Sequence, residues 1–192
     1  MHLPELYILR HGETEWNAAG RIQGALDSGL TETGRQQAGR QAEILAGSGV
    51  VAAGHDFFVS PQGRARQTAD IALAPFGVTP RVDPRLREIS LGCYDGLTRD
   101  EIAEKYPAAF AEQDPFLWHD TSPDGEGFVA LSARVAGFLA TLRRPSVIVT
   151  HGIASRFLRG AALGLDLEGI GALPGGQGVV YRIREGQQSR LV

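Results

Sequence analysis

A run of β-prone apolar residues, Leu6-Tyr7-Ile8-Leu9, stops at a basic pair and a glycine, Arg10-His11-Gly12. That is the pattern of a buried strand ending in a loop. The same grammar returns late in the chain, where Ser146-Val147-Ile148-Val149-Thr150 runs into His151-Gly152. Between the two, strand-like and helix-like stretches alternate. Thr31 caps a helix reaching to about Ala46, with Ala38, Ala42 and Leu45 at helical spacing and Gly47-Ser48-Gly49 as its stop. Asp56-Phe57-Phe58-Val59 and Arg81-Val82-Asp83 read as short strands. Ser60 reads as the N-cap and Pro61 as the first-turn residue of a second helix. Thr98 with Glu101 makes a capping box, and residues 127–142 form a longer amphipathic helix. Strand patterns over 179–184 and 189–192 finish the sequence. The alternation predicts an α/β chain, a three-layer α/β/α sandwich around a mostly parallel sheet. The strands at 6–9, 56–59 and 146–150 are expected to be neighbours, with their carboxyl ends together. Ligands of such sheets bind just beyond those ends.

The residues placed there carry chemistry. Arginine offers a planar fork of donors that matches phosphate oxygens, which makes Arg10 a candidate anion binder. His11 beside it is a candidate nucleophile or acid/base, and Gly12 lets the backbone approach a ligand closely. Arg64 falls about one turn into the helix that follows the strand at 56–59, near its positive end, whereas Arg66 reads as part of a solvated face. Glu88 and Asp95 are two acids able to move protons. One histidine at a strand end is usually a satisfied core group, but a second strand-His-Gly in one chain, at His151, points to a shared site.

The string Arg10-His11-Gly12-Glu13-Thr14 followed by Trp16-Asn17 resembles the opening signature of the histidine phosphatase superfamily, the phosphoglycerate-mutase-like proteins. Residues Ser60 to Ala69 resemble the family's second signature, with its phosphate-gripping arginine at Arg64. Leu86-Arg87-Glu88 and then Asp95-Gly96-Leu97-Thr98 align Glu88 with the family's acid/base and Asp95 with a structural position. His151 falls on the second active-site histidine and Arg156 on a usual arginine. The Gly-Glu-Ser usual in the family is here Gly125-Glu126-Gly127, and Ile153 stands where many mutases have asparagine. The resemblance implies a phosphoglycerate-mutase-like fold and a phosphohistidine formed on His11. Arg10, Arg64 and His151 would hold the phosphoryl oxygens, Glu88 would protonate the leaving alcohol, and Asn17, Gln23 and Gly24 would add neutral hydrogen bonds. No metal or cofactor is implied, since arginine and histidine supply the positive charge.

At 192 residues the sequence suits a single domain, 1–192, and residues 100–133 read as a small helical lid inserted over the site. That stretch carries eight acids, Asp100, Glu101, Glu104, Glu112, Asp114, Asp120, Asp124 and Glu126, against Lys105. Its acids are expected to repel polyanionic substrates, and its aromatics to favour an apolar or neutral leaving group. A net charge of −3, from 19 basic and 22 acidic residues, argues against a general nucleic-acid or membrane-surface binder. One cysteine, Cys93, excludes an internal disulfide. With no secretory signal pattern and no apolar run of spanning length, the expected location is the cytoplasm, and the expected partner is a small phosphomonoester. The oligomeric state is not legible.

Three functions fit: a phosphomonoester phosphatase, a phosphoglycerate mutase using the same phosphohistidine, and a non-catalytic phosphate-binding protein. The phosphatase is favoured. Mutases of the family carry a longer insertion with an arginine pair for the substrate carboxylate, whereas no arginine lies between Arg99 and Arg134 here. They have Arg-His-Tyr after the glutamate where this sequence has Ile89-Ser90-Leu91, and a closing tail where this one stops at Val192 in strand pattern.

Overall fold

The computed structural model describes residues 3–111 and 114–192. A six-stranded sheet forms its centre, in the order β3 (Arg81–Val82), β2 (Asp56–Val59), β4 (Ser146–Thr150), β1 (Leu6–Arg10), β5 (Val180–Arg184), β6 (Gln187–Leu191). β1 lies parallel to β4, which lies parallel to β2, and β2 to β3. β5 and β6 are antiparallel and finish one edge. Apolar side chains fill both faces of β1 and β4, and every residue of β4 is buried. Strands covered on both faces belong in a parallel sheet with helices on each side, and that is how these are used.

One face of the sheet, through Leu6, Ile8, Ile148 and Tyr181, packs on α5 (Gly127–Leu139) and α6 (Gly152–Leu163), with Leu131, Phe138, Phe157 and Leu158 in the same core. The other face, through Tyr7, Leu9, Val147 and Val149, packs on α2 (Glu32–Gly47) and α3 (Gly63–Ala72), whose Leu45, Ala65 and Ala69 are buried there. A short α1 (Glu15–Ala18) precedes α2, and α7 (Leu167–Ala172) follows α6. The expected neighbours β2, β4 and β1 are adjacent, and their register sets Arg10 opposite Thr150 and Val59 opposite Val149. Their carboxyl ends therefore meet at one edge.

Thr31 caps α2 by accepting from the Gly34 amide, and Thr98 with Glu101 forms the expected box at α4 (Arg99–Lys105). Ser60 does not cap α3. The N-cap position is Gln62, which makes no side-chain cap bond of its own. The first amides of α3 are instead taken by Asp27, from a loop 36 residues earlier, which accepts from Gly63 and Arg64. Ser60 is left free for a different partner.

Of the segment 100–133, α4 and two short 3₁₀ turns, Pro107–Phe110 and Leu117–Asp120, precede the start of α5. Its aromatics are mainly core: Phe116 and Trp118 are buried in the larger cluster with Phe128 and Phe157. Five of its acids are structural, while Asp100 and Glu104 are exposed. Glu101 pairs with Arg21, Glu126 with Arg134 and Arg87, and Asp114, Asp120 and Asp124 accept from backbone amides. Glu112 lies outside the described residues. No helix among the described residues is long and apolar enough to cross a membrane.

Candidate active site

Beyond the ends of β1, β2 and β4 opens a cavity of about 430 Å³. Arg10, His11, Arg64 and Glu88 stand on its wall, and so do Asn17, Gln23 and Gly24.

His11 continues β1 by one hydrogen bond, its amide donating to the Thr150 carbonyl at 2.9 Å. Its ring is fixed from both sides. Nδ1 lies 2.7 Å from the Gly12 carbonyl, which can only accept, so Nδ1 carries the proton. Arg64 Nε–H donates to Nε2 at 3.3 Å, so Nε2 keeps its lone pair. Burial, reinforced by Arg10 and Arg64, holds the imidazole pKa well below its usual value. The result is a neutral imidazole whose unprotonated nitrogen belongs to the residue lining the cavity, the form a nucleophile needs.

Arg64 is almost fully buried, and its fork is spent on one short stretch of loop. Nη1 donates to the Leu26 carbonyl at 2.5 Å and to Asp27 Oδ1 at 3.1 Å, and Nη2 to the Gly24 carbonyl at 3.0 Å. Gly24 has φ +47°, and a Cβ there would meet Asp95 Oδ1 at 1.7 Å, so only glycine fits. Asp95 in turn accepts from the amides of Ala25 and Leu91 at 3.0 Å each, tying the two cavity loops together in a bridging position, and burial raises its pKa. Asn17 closes a capping box on Thr14 and accepts from Gln177 at 3.0 Å; Gln23 accepts from Ser28 at 3.1 Å. Each uses its side-chain oxygen, so each keeps an amide nitrogen that can donate.

Glu88 sits at the start of α6. Oε1 accepts from Ile89 at 3.0 Å and Ala154 at 2.9 Å, and Oε2 from Ile153 at 3.1 Å. A helix N-terminus is a natural seat for a carboxylate. Gln62 reaches over to accept from the Glu88 amide at 2.7 Å and to donate to the Gly24 carbonyl at 2.9 Å.

His151 lies one layer back from the wall, wholly buried, its ring centroid 5.2 Å from that of His11. Its Nε2 is 2.6 Å from the Ser60 hydroxyl, the partner that the misplaced N-cap reading concealed. Burial and the nearby Arg64 hold its pKa well below the usual value. Two buried nitrogens at the site, Arg10 Nε and His151 Nδ1, have no hydrogen-bond partner among the described residues. Arg10 Nε–H is a donor whichever tautomer His151 takes; buried donors are rarely left so, and an oxyanion is a group that satisfies them.

Sequence reasoning missed four residues. Asp27 and Ser60 act across long sequence distances and match no local pattern. Arg159 and His119 also line the cavity. The wall holds Arg10, Arg21, Arg64, Arg156 and Arg159 against one acid, Glu88, and none of the acids of 100–133 that the structure describes reaches it. The expected repulsion of polyanions is thereby overturned: a count of charges along the chain does not say which way the side chains point.

The chain belongs to the histidine phosphatase superfamily (branch 1), whose model matches residues 6–191. Among curated relatives it is 38% identical over 171 residues to the probable phosphoglycerate mutase GpmB of Enterobacter sp. (strain 638), covering 84% of this chain and 75% of that one. Among solved structures it is similar to a mycobacterial glucosyl-3-phosphoglycerate phosphatase studied with VO3, at 33% identity and a TM-score of 0.80, covering 93% of this chain and 90% of that one. Bacillus stearothermophilus YhfR matches at 33% identity and a TM-score of 0.80 over 97% and 94% of the two chains.

Proposed function

We propose that the protein is a metal-independent phosphomonoester hydrolase working through a phosphohistidine on His11. The observation that carries this is the fixed tautomer of His11: a buried neutral imidazole, proton on Nδ1 and lone pair on Nε2, between two arginines. Arg64 Nε–H turns from Nε2 to a phosphoryl oxygen, and the freed Nε2 lone pair attacks phosphorus in line with the leaving oxygen. Arg10, Arg64 and His151 stabilise the charge spreading over the other three oxygens. The phosphorus–oxygen bond breaks as Glu88 gives its proton to the departing alcohol. Glu88, now a carboxylate, takes a proton from the water that attacks the phosphohistidine, and phosphate leaves. Asn17, Gln23 and Gly24 line the same wall as neutral partners. Residues 1–192 act as one domain, with 100–133 covering the site, and work on a small phosphorylated metabolite in the cytoplasm.

Hydrolysis is favoured over isomerisation by Ile89 and Leu91, both buried and apolar. The mutase reading is kept by the relative named a probable phosphoglycerate mutase. The test is incubation with 3-phosphoglycerate and a trace of 2,3-bisphosphoglycerate, following both products. Inorganic phosphate should outpace 2-phosphoglycerate; the reverse makes the protein a mutase. Glu88→Gln should slow hydrolysis of alkyl phosphates more than of p-nitrophenyl phosphate, whose leaving group needs little protonation. Equal losses would move the acid elsewhere, with Asp95 next in line.

A further inference from the structure

Two arginines of the cavity have no acid to answer them. Arg156 and Arg159 lie three residues apart on α6, on one helix face, and neither is in an ion pair among the described residues. Arg159 is 1% exposed, and burial brings its pKa down to about 10, which leaves it charged near neutrality. Its nitrogens are spent on carbonyl and amide oxygens, at Pro174 (2.8 Å) and Gln188 (3.1 Å), and its guanidinium carbon is 3.9 Å from the centroid of the Tyr181 ring. Arg156 is freer. One Nη donates to the Gly171 carbonyl at 2.9 Å and the guanidinium lies over Phe116, which leaves Nε and the other Nη without a hydrogen-bond partner in the described protein. Two like charges side by side in a partly buried wall are costly unless something negative faces them. Arg10, Arg64 and Glu88 belong to the phosphate end; Arg156 stands about one helical turn, roughly 5.4 Å, beyond Gly152.

We propose that Arg156, backed by Arg159, is a second anion subsite, and that the leaving group of the substrate carries an anionic group held there while the phosphoryl group faces His11. This rests on the hydrolase reading for the identity of the phosphate end. His119 fits the same leaving group. Its Nδ1 donates to the Phe116 carbonyl at 2.7 Å, so Nε2 is an acceptor on a wall otherwise rich in donors, suited to a hydroxyl.

The test is calorimetric binding to His11→Ala protein, so that no ligand is consumed. Three ligands of equal chain length are compared: propane-1,3-diol monophosphate, 3-phosphooxypropanoate and propane-1,3-diol bisphosphate. Either anionic ligand should bind roughly ten- to a hundredfold tighter than the neutral one, the range of a charge-assisted hydrogen bond, and whichever gains more identifies the anion as carboxylate or phosphate. Adding Arg156→Gln should bring the three close to parity, and Arg156→Lys should restore part of the preference. Parity in the starting protein overturns the proposal, as does absence of binding by all three. An equal loss for all three on Arg156→Gln also overturns it, by placing that arginine on the transferred phosphate. Failure of the hydrolase reading shows separately, as wild-type protein that binds these ligands but releases no phosphate.

Discussion

The two strand–histidine–glycine ends look alike in sequence and do different work. At the end of β1, His11 faces the cavity with its tautomer set by the next residue's carbonyl and by Arg64. At the end of β4, His151 is a layer behind, held by Ser60 from β2's end. The glycines differ as well. A Cβ on Gly12 would meet the Gly34 carbonyl oxygen at 2.2 Å, because β1's end and α2's start touch backbone to backbone. A Cβ on Gly152 would find only Arg10 and Glu88 side chains, at 3.5 and 3.6 Å, which is ordinary contact. The first end locks the proposed nucleophile to the fold; the second leaves room around the proposed charge-stabilising histidine.

The largest effect separating them should come from the histidines. His11→Ala is expected to lower kcat roughly a thousandfold or more, the loss typical of a nucleophile, and His151→Ala closer to a hundredfold, the cost of one charge-stabilising donor. Acid-labile label from a phosphorylated substrate should map to His11. Equal losses, or label on His151, would break the distinction. Next comes stability at the glycines. Gly12→Ala forces backbone apart and should cost about 1–3 kcal/mol in urea melts, while Gly152→Ala should stay under about 1 kcal/mol. Similar costs would mean that the two turns are equally constrained.

Ser60→Ala sharpens the same contrast at smaller scale. It removes the partner of His151 Nε2 and should cost about 1 kcal/mol or more of stability, with a smaller kcat loss than His151→Ala, since the imidazole remains. A loss of activity as large as that of His151→Ala would assign Ser60 a part in the chemistry itself. A last effect needs no substitution and is read in pH. Both histidines have folded pKa values held well below the usual 6.5, burial being the main cause. Below about pH 6.5 the unfolded chain takes up protons that the folded one refuses. Stability is therefore full above that pH and declines as pH falls, by up to about 1.4 kcal/mol per pH unit per histidine. Denaturant melts between pH 5 and 7.5 should show the decline, and His151→Asn should make it shallower. A flat profile would mean that the imidazoles are protonated in the fold.

Much of this was legible. Apolar runs fixed the strands and their neighbours, and the Arg-His-Gly string placed the site at their ends. Boundaries moved by little: α5 stops at Leu139 where the pattern ran on to 142, and β6 begins at Gln187 where it began at 189. What could not be read were partnerships across the sequence. Ser60-Pro61 looks like a helix start because the local chemistry is right, but the helix takes its cap from Asp27 and the serine goes to His151. The acids of 100–133 looked like an electrostatic screen because composition carries no direction; in the fold five of them cap turns or pair with arginines and none of the described ones lines the cavity. Arg156 was marked only by the family resemblance, and its neighbour Arg159 was missed because it sits within an apolar helix pattern.

Arg64 touches the loop of residues 24–27 at three places, and Asp27 answers by holding the start of α3. The arginine is thus a keystone for the wall as well as the proposed hand for the ligand. Removing it is expected to let Gly24 and Gln23 drift, so that any loss of activity would sum two failures that no single substitution separates. Pairing Arg64→Lys with Asp27→Asn in a double-mutant cycle does: coupling between them reports the architecture, and the remainder belongs to the phosphate.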